Sequence, residues 1–318
     1  MNSLFTTYYK FHNYLRSIFL LAGMLFLLSL IGWLLAGPAG IAWFLVVGVF
    51  VLLSGLHITP GLILRMYRAQ VILPEDAPQL YAIINRLAKQ AKLKNVPTLC
   101  YLPGRLINAF TTGLHDNVVI ALSDGMLRQL NTRELTAVLA HEISHIHRND
   151  LLVMLLADIM SRLTSIMAFT GYVLILVYIL LFLITDAEAP WALLVVLMLA
   201  PSLSFLMQLA LSRAHEYGAD LEAARLTNDP LGLVAALEKI ERHQGNWLER
   251  IFISSQRMRE PALLRTHPFM IDRVKRLKNL ASRQRSSDHP LGSDKKQNWG
   301  QFISHDDDPG LRFPWIWH

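Results

Sequence analysis

The side chains of His141, Glu142 and His145 are spaced for metal chemistry if the segment HEISH around them is helical. At about 100° per residue, His145 lies about 40° round the helix from His141, one turn on. Two neutral imidazoles so placed can bind one Zn²⁺, each at about 2.0–2.1 Å. Glu142 stands about 60° from His145, so it reaches a metal-bound water without itself binding the metal. Two ligands and a general base thus come from a short stretch of one helix. His147, about 240° from His141, points off that face.

A hydrolytic zinc site takes a third protein ligand and leaves its fourth position to water. Residues 212–220, SRAHEYGAD, are the best source. Glu216 and Asp220 are four apart and share a helical face. Glu216 completes the metal site in this arrangement. Asp220 then accepts the free N–H of a ligand histidine and fixes its tautomer. His215 and Glu222 are rivals by proximity. Glu216 is favoured because it alone also places an acid one turn on.

The elements that must carry these residues are legible nearby. Asn131-Thr132-Arg133-Glu134 opens the HEISH helix with an N-cap and a Glu three residues later. Upstream, Leu80, Ile83, Ile84 and Leu87 recur at helical spacing within residues 75–95. Three β-like runs follow, PTLCYL, LINAFTTG and NVVIALS, with a turn at Gly113, His115, Asp116 and Asn117 between the last two. Residues 213–280 read as mainly helical, broken at Asp229-Pro230 and at Thr266-His267-Pro268.

The rest of the chain has an uneven charge pattern. Apolar residues make up 53% and charged residues only 17%, against roughly a quarter in an ordinary soluble domain. Mean hydropathy is +0.34. These values exclude a disordered chain. The lone Cys100 excludes a disulfide scaffold. Ser17–Leu64 is a run of 48 residues without an Asp, Glu, Lys or Arg, interrupted by Gly37-Pro38-Ala39-Gly40. Leu163–Thr185 and Pro190–Ser212 are two further uncharged runs of 23 residues, separated by Asp186-Ala187-Glu188-Ala189. A bilayer core is crossed by about 20 apolar residues, so the pattern predicts four transmembrane helices in two hairpins. The first is too long for a signal-peptide core and no small-residue cleavage site follows it.

Lys10, Arg16, Arg65, Arg68 and Arg213 flank these spans on one side, and the second hairpin loop is acidic. The positive-inside bias then places both termini and the HEISH region in the cytoplasm, at the cell's inner (plasma) membrane. Residues 239–285 hold 12 Lys/Arg against 4 acids, with no nucleic-acid motif to go with them. They form either a solvated basic face or one that meets anionic lipid.

With AHEISH at 140–145, SRAHEYGAD at 212–220, NAFTTG at 108–113, THPFMIDR at 266–273 and a two-plus-two span pattern, the chain resembles the HtpX-type membrane zinc metalloproteases, relatives of the CAAX prenyl proteases. The likeness covers roughly residues 1–280. It implies a gluzincin fold with His141, His145 and Glu216 as zinc ligands, Glu142 as catalytic base and Asp220 in support. It also implies that NAF lies on an edge strand by the cleft, where Asn108 and Ala109 pair with an extended substrate backbone. His267 and Arg273 would bind the substrate or the developing oxyanion. Two features depart from the family. Pro268-Phe269 follows His267 where the family has Pro-Pro, and residues 282–318 have no counterpart. The CAAX proteases carry more spans and a longer chain, which argues against prenyl-protein processing.

The sequence therefore leads to an α-helical membrane protein with an α+β, zincin-like cytoplasmic protease domain. Its expected parts are 1–64 (N-terminal segment and hairpin one), 65–162 (α+β part with the HEISH helix), 163–212 (hairpin two), 213–281 (helical part with the third ligand) and 282–318 (a disordered tail). The expected activity is hydrolysis of peptide segments of membrane proteins by a water activated at one Zn²⁺ per chain, in quality control, with the lipid bilayer as surroundings. Alternatives are a prenyl-peptide or signal-peptide processing metalloprotease, and a non-enzymatic membrane scaffold or transporter.

Overall fold

In a computed structural model of the chain, the described residues are 3–57, 60–104, 106–113, 117–182, 191–244 and 270–287. His267, His115, Asp116, the acidic link at 186–189 and the residues beyond 287 lie outside them. In chain order the elements are α1 (Ser3–His57), α2 (Pro60–Met66), β1 (Gln70–Val71), α3 (Pro78–Gln90), β2 (Thr98–Leu102), β3 (Ala109–Thr112), β4 (Val119–Ser123), α4 (Asp124–Gln129), α5 (Thr132–His147), α6 (Asp150–Phe182), α7 (Trp191–Thr227), α8 (Pro230–Gln244) and α9 (Met270–Ser287). The described residues form two compact units. One comprises residues 3–57, 149–182 and 191–218; the other comprises the described parts of 60–148, 219–244 and 270–287.

Among the described residues, three helices are long and apolar enough to cross a membrane: His12–Val51, Asp150–Ile179 and Leu193–Thr227. The two spans expected within residues 17–64 are assigned to one element, α1. Its helical backbone breaks at Ala36 (φ −146°, ψ 22°) and Gly37 (φ 60°, ψ −147°), just before Pro38. Gly37 supplies the positive φ that an L side chain resists. A Cβ built on Gly40 would lie 2.0 Å from the carbonyl oxygen of Gly32, so the stretches on either side of the break touch backbone to backbone. α6 begins at Asp150, well before the uncharged run that starts at Leu163, and carries Asp158 and Arg162 as a 2.7 Å ion pair. Leu28, Ile31, Leu163, Met167, Leu197 and Ala200 pack among themselves. Phe26, Trp43, Phe50, Phe169 and Met198 point outward. Apolar side chains facing outward from long apolar helices suit a lipid solvent rather than water.

The second unit is built on a four-stranded sheet of order β1-β2-β4-β3. β2 and β4 are parallel, and β1 and β3 pair antiparallel at the two edges. β4 lies inside the sheet and every residue of VIALS is buried, as expected for a strand covered on both faces. Leu99, Ile120 and Leu122 join Leu80, Ile84 and Leu87 of α3 in one core. α5 adds Leu135, Leu139 and Ile143 to that core and packs against α3, α8 and β3. Each such side chain contributes about 1.5–3 kcal/mol on full burial. The capping box is formed as the sequence predicts. Asn131 Oδ1 accepts from Glu134 N at 2.9 Å, and Glu134 Oε2 accepts from Asn131 N at 3.0 Å. Lys239 of α8 donates to the same Glu134 oxygen at 3.0 Å, which ties the start of α5 to α8.

Candidate metal centre

α5 presents its apolar face, Ile143 included, to the core and carries His141, Glu142 and His145 beside it. His141 and Glu142 are each 3% exposed. The imidazoles of His141 and His145 stand edge to face, with ring centroids 4.7 Å apart, and their Nε2 atoms are separated by 3.2 Å. Two nitrogens each about 2.0–2.1 Å from one tetrahedral ion lie about 3.3 Å apart, so this pair fits a single Zn²⁺ closely. Both residues belong to a His/Glu group whose ligand atoms lie within 4.8 Å of one another and could hold a metal ion.

The surroundings of His141 fix its orientation. Its Nδ1 lies 3.1 Å from Asp220 Oδ1, on the side of the ring away from His145. Asp220 is in turn held by Arg273 of α9. Arg273 Nε donates to Oδ2 at 2.8 Å and Nη2 donates to Oδ1 at 2.6 Å. A bidentate guanidinium–carboxylate pair is the arrangement that compensates two buried charges best. Arg273 is 1% exposed, and its Nη2 is 3.4 Å from His141 Nε2. The structure thus places Arg273 against Asp220.

Glu142 has a partner that the sequence reading did not single out. Thr111 Oγ1, on β3, donates to Glu142 Oε2 at 2.6 Å. Thr111 stands inside NAFTTG, but nothing in its spacing announces a bond across 31 residues.

β3 is an edge strand, and Asn108 and Ala109 line one apolar cleft with His141, Glu142, Val138, Leu237 and Met270. The register refines which backbone groups are open. Asn108 N donates to Ser123 Oγ at 2.9 Å, and Asn108 O accepts from Ser123 N at 3.0 Å. Its main chain is therefore committed to β4. Antiparallel pairing alternates, so Ala109 and Thr111 are the residues whose main-chain groups point away from β4, to the open edge.

Glu216 is buried on α7, one turn before Asp220. Its two rivals are engaged elsewhere. His215 Nδ1 lies 2.5 Å from Asp150 Oδ1 and its Nε2 lies 3.1 Å from Ser17 Oγ. Glu222 accepts from Arg225 at 2.5 Å. His267 lies outside the described residues.

The family pattern described as Peptidase family M48 matches residues 74–281, which include both HEISH and SRAHEYGAD. The chain belongs to peptidase family M48. A protease HtpX homologue of Salinibacter ruber is 32% identical over 287 residues, covering 85% of this chain and 99% of that one. One from Pyrococcus abyssi is 33% identical, covering 84% and 96%. One from Desulfatibacillum aliphaticivorans is 30% identical, covering 89% and 94%. The crystal structure of S. mikatae Ste24p aligns over 80% of this chain and 62% of that chain at 19% identity, with a TM-score of 0.46. This M48 member is a membrane metalloprotease, and its family implies a metal at the His/Glu group.

Proposed function

We propose that this chain is a zinc endopeptidase that cleaves segments of membrane proteins at the cytoplasmic face of the inner membrane, in membrane-protein quality control. The observation that carries the chemistry is the pair of Nε2 atoms 3.2 Å apart on the helix that also bears Glu142. In this reading His141, His145 and Glu216 hold one Zn²⁺ per chain. α7 is continuous through Glu216 and Asp220, and residues four apart on a helix have side chains about 5–6 Å apart. Asp220 lies against His141, so the continuity of the helix supports Glu216 as the third ligand.

A bound zinc ion supplies a Lewis acid for the scissile carbonyl and makes an attacking water more acidic. Glu142 takes a proton from that water and later hands it to the leaving amine. Thr111 holds Oε2 of Glu142 and so orients its carboxylate. Asp220, with Oδ1 3.1 Å from His141 Nδ1, orients the ring so that Nε2 faces His145, where the metal would lie. The open edge of β3, at Ala109 and Thr111, takes an extended substrate backbone. The apolar cleft beside it, with Val138, Leu237 and Met270, takes an apolar side chain. Arg273 orients Asp220 and lies within reach of an oxyanion beside His141. His267 is assigned to the substrate on family likeness alone.

For the membrane, the two halves of α1 together with α6 and α7 make four crossings in two hairpins. The break in helical backbone at Ala36–Gly37 supports this count. The lysines and arginines that flank the spans support cytoplasmic termini.

Glu142→Ala in the purified full-length chain tests the mechanism. Zinc content should stay at one per chain while cleavage of an unfolded membrane-protein substrate is lost. Undiminished cleavage by a protease-free preparation overturns the reading.

A further inference from the structure

We propose that Asn13, Ser17 and Asp150 are positioning residues for Glu216, acting through Ala214 and His215. The inference rests on the assignment of Glu216 as a metal ligand. Asn13 and Ser17 are one turn apart on α1 and share a face. Asn13 Nδ2 donates to the carbonyl oxygen of Ala214 at 3.0 Å. Ser17 Oγ lies 3.1 Å from His215 Nε2, and it donates to Asn13 O at 2.9 Å. The other ring nitrogen, Nδ1, lies 2.5 Å from Asp150 Oδ1, at the first residue of α6. Ser17, His215 and Asp150 are 6%, 7% and 1% exposed, so water does not compete for these groups.

Two side chains of α1 and one of α6 therefore grip α7 at the two residues immediately before Glu216. One hold is on the main chain and the other is on an imidazole with both nitrogens occupied. Together they fix both the rotation of α7 and its axial position. That precision matters at a metal ligand. Turning a helix by about 10° moves an atom about 6 Å from its axis by about 1 Å. Ligand distances tolerate only about 0.2 Å. The network also lies close in sequence to the other ligands, because Asp150 is the fifth residue after His145.

The order Ser–His–Asp is that of a hydrolytic nucleophile. Here Ser17 is buried and its hydroxyl proton goes to Asn13 O, so it is placed to hold rather than to attack.

The test uses the full-length chain in detergent and compares N13A/S17A, S17T and E216Q with the parent. Zinc affinity is read by chelator competition, the cobalt-substituted absorption spectrum reads ligand geometry, and the melting temperature is read on metal-free protein. N13A/S17A should bind zinc about ten- to a hundredfold more weakly, with an altered cobalt spectrum and a metal-free melting temperature near the parent's. S17T keeps the hydroxyl and should restore affinity and spectrum. Parent-like affinity and spectrum in N13A/S17A overturn the proposal, as does a lowered melting temperature with an unchanged cobalt spectrum. E216Q should also lose affinity. If it does while N13A/S17A does not, only the brace is wrong; if E216Q binds zinc like the parent, the ligand assignment falls and the brace with it. Should N13A/S17A not fold, S17A alone carries the same expectations at about tenfold.

Discussion

In the proposed mechanism Glu142 is the base, and Thr111 orients it. Its hydroxyl is the donor to Glu142 Oε2, and valine has nearly the same shape without that donor. A hydrogen bond to a charged group contributes about 1.5–3 kcal/mol, and only part of that is expressed in orienting a base. Thr111→Val should therefore lower kcat roughly tenfold with KM little changed, because the lost contact serves proton transfer rather than substrate binding. Thr111→Ser should recover most of the rate. Steady-state kinetics on the three proteins with one peptide decides it, and an unaltered kcat in the valine variant removes Thr111 from the mechanism.

At the scale of the elements, α8 is fastened to α5 through Asp229. Arg133 near the start of α5 donates from Nε at 2.5 Å and from Nη2 at 2.8 Å, and Gly232 N donates to Asp229 Oδ1 at 3.0 Å as part of the α8 cap. The hydrogen bond from Arg133 holds the Asp229 carboxyl below its ordinary 3.8, against a smaller opposing effect of burial. A carboxyl with a depressed folded-state pKa stabilises above its unfolded value and loses that contribution as pH falls through the folded one. The stability difference between the parent and Asp229→Asn should thus be full near neutral pH and shrink as pH drops below about 4. Denaturant titrations at several pH values check it. A difference that grows on acidification contradicts the assignment. The pair is partly exposed, so the effect is small and should weaken further in salt.

At the scale of the whole molecule, the question is how often the chain crosses the bilayer. The proposed four crossings would place the link at 186–189 outside and both termini inside. Reporter fusions at the two termini and within 186–189 read this directly. Opposite signals from the link and the termini are expected. A link on the same side as both termini rules out the second hairpin, and termini on opposite sides rule out the even count.

The same scales separate what was readable from what was not. The HEISH geometry, the capping box at Asn131 and the β runs at 98–102 and 119–123 are local: each follows from periodicity or from partners three or four residues apart. The expected turn at Gly37–Gly40 likewise coincides with the break in α1. The partners of those residues were not readable. Thr111 to Glu142 spans 31 residues, Asp220 to Arg273 spans 53, and Ser17 to His215 spans 198. Which main-chain groups of β3 stay open depends on a register set by Ser123, a side chain in another strand.

By itself the sequence determined the long apolar runs, the HEISH turn with its candidate ligands, and the family. Composition and short-range spacing encode these, and no long loop has to close before they mean something. Tertiary structure alone decided what holds Glu142, how Arg273 holds Asp220 beside His141, and what grips the turn before Glu216. Those pairings join residues far apart in the chain. Closing the intervening loops costs entropy that only the packed core repays, so they exist only once the units have formed.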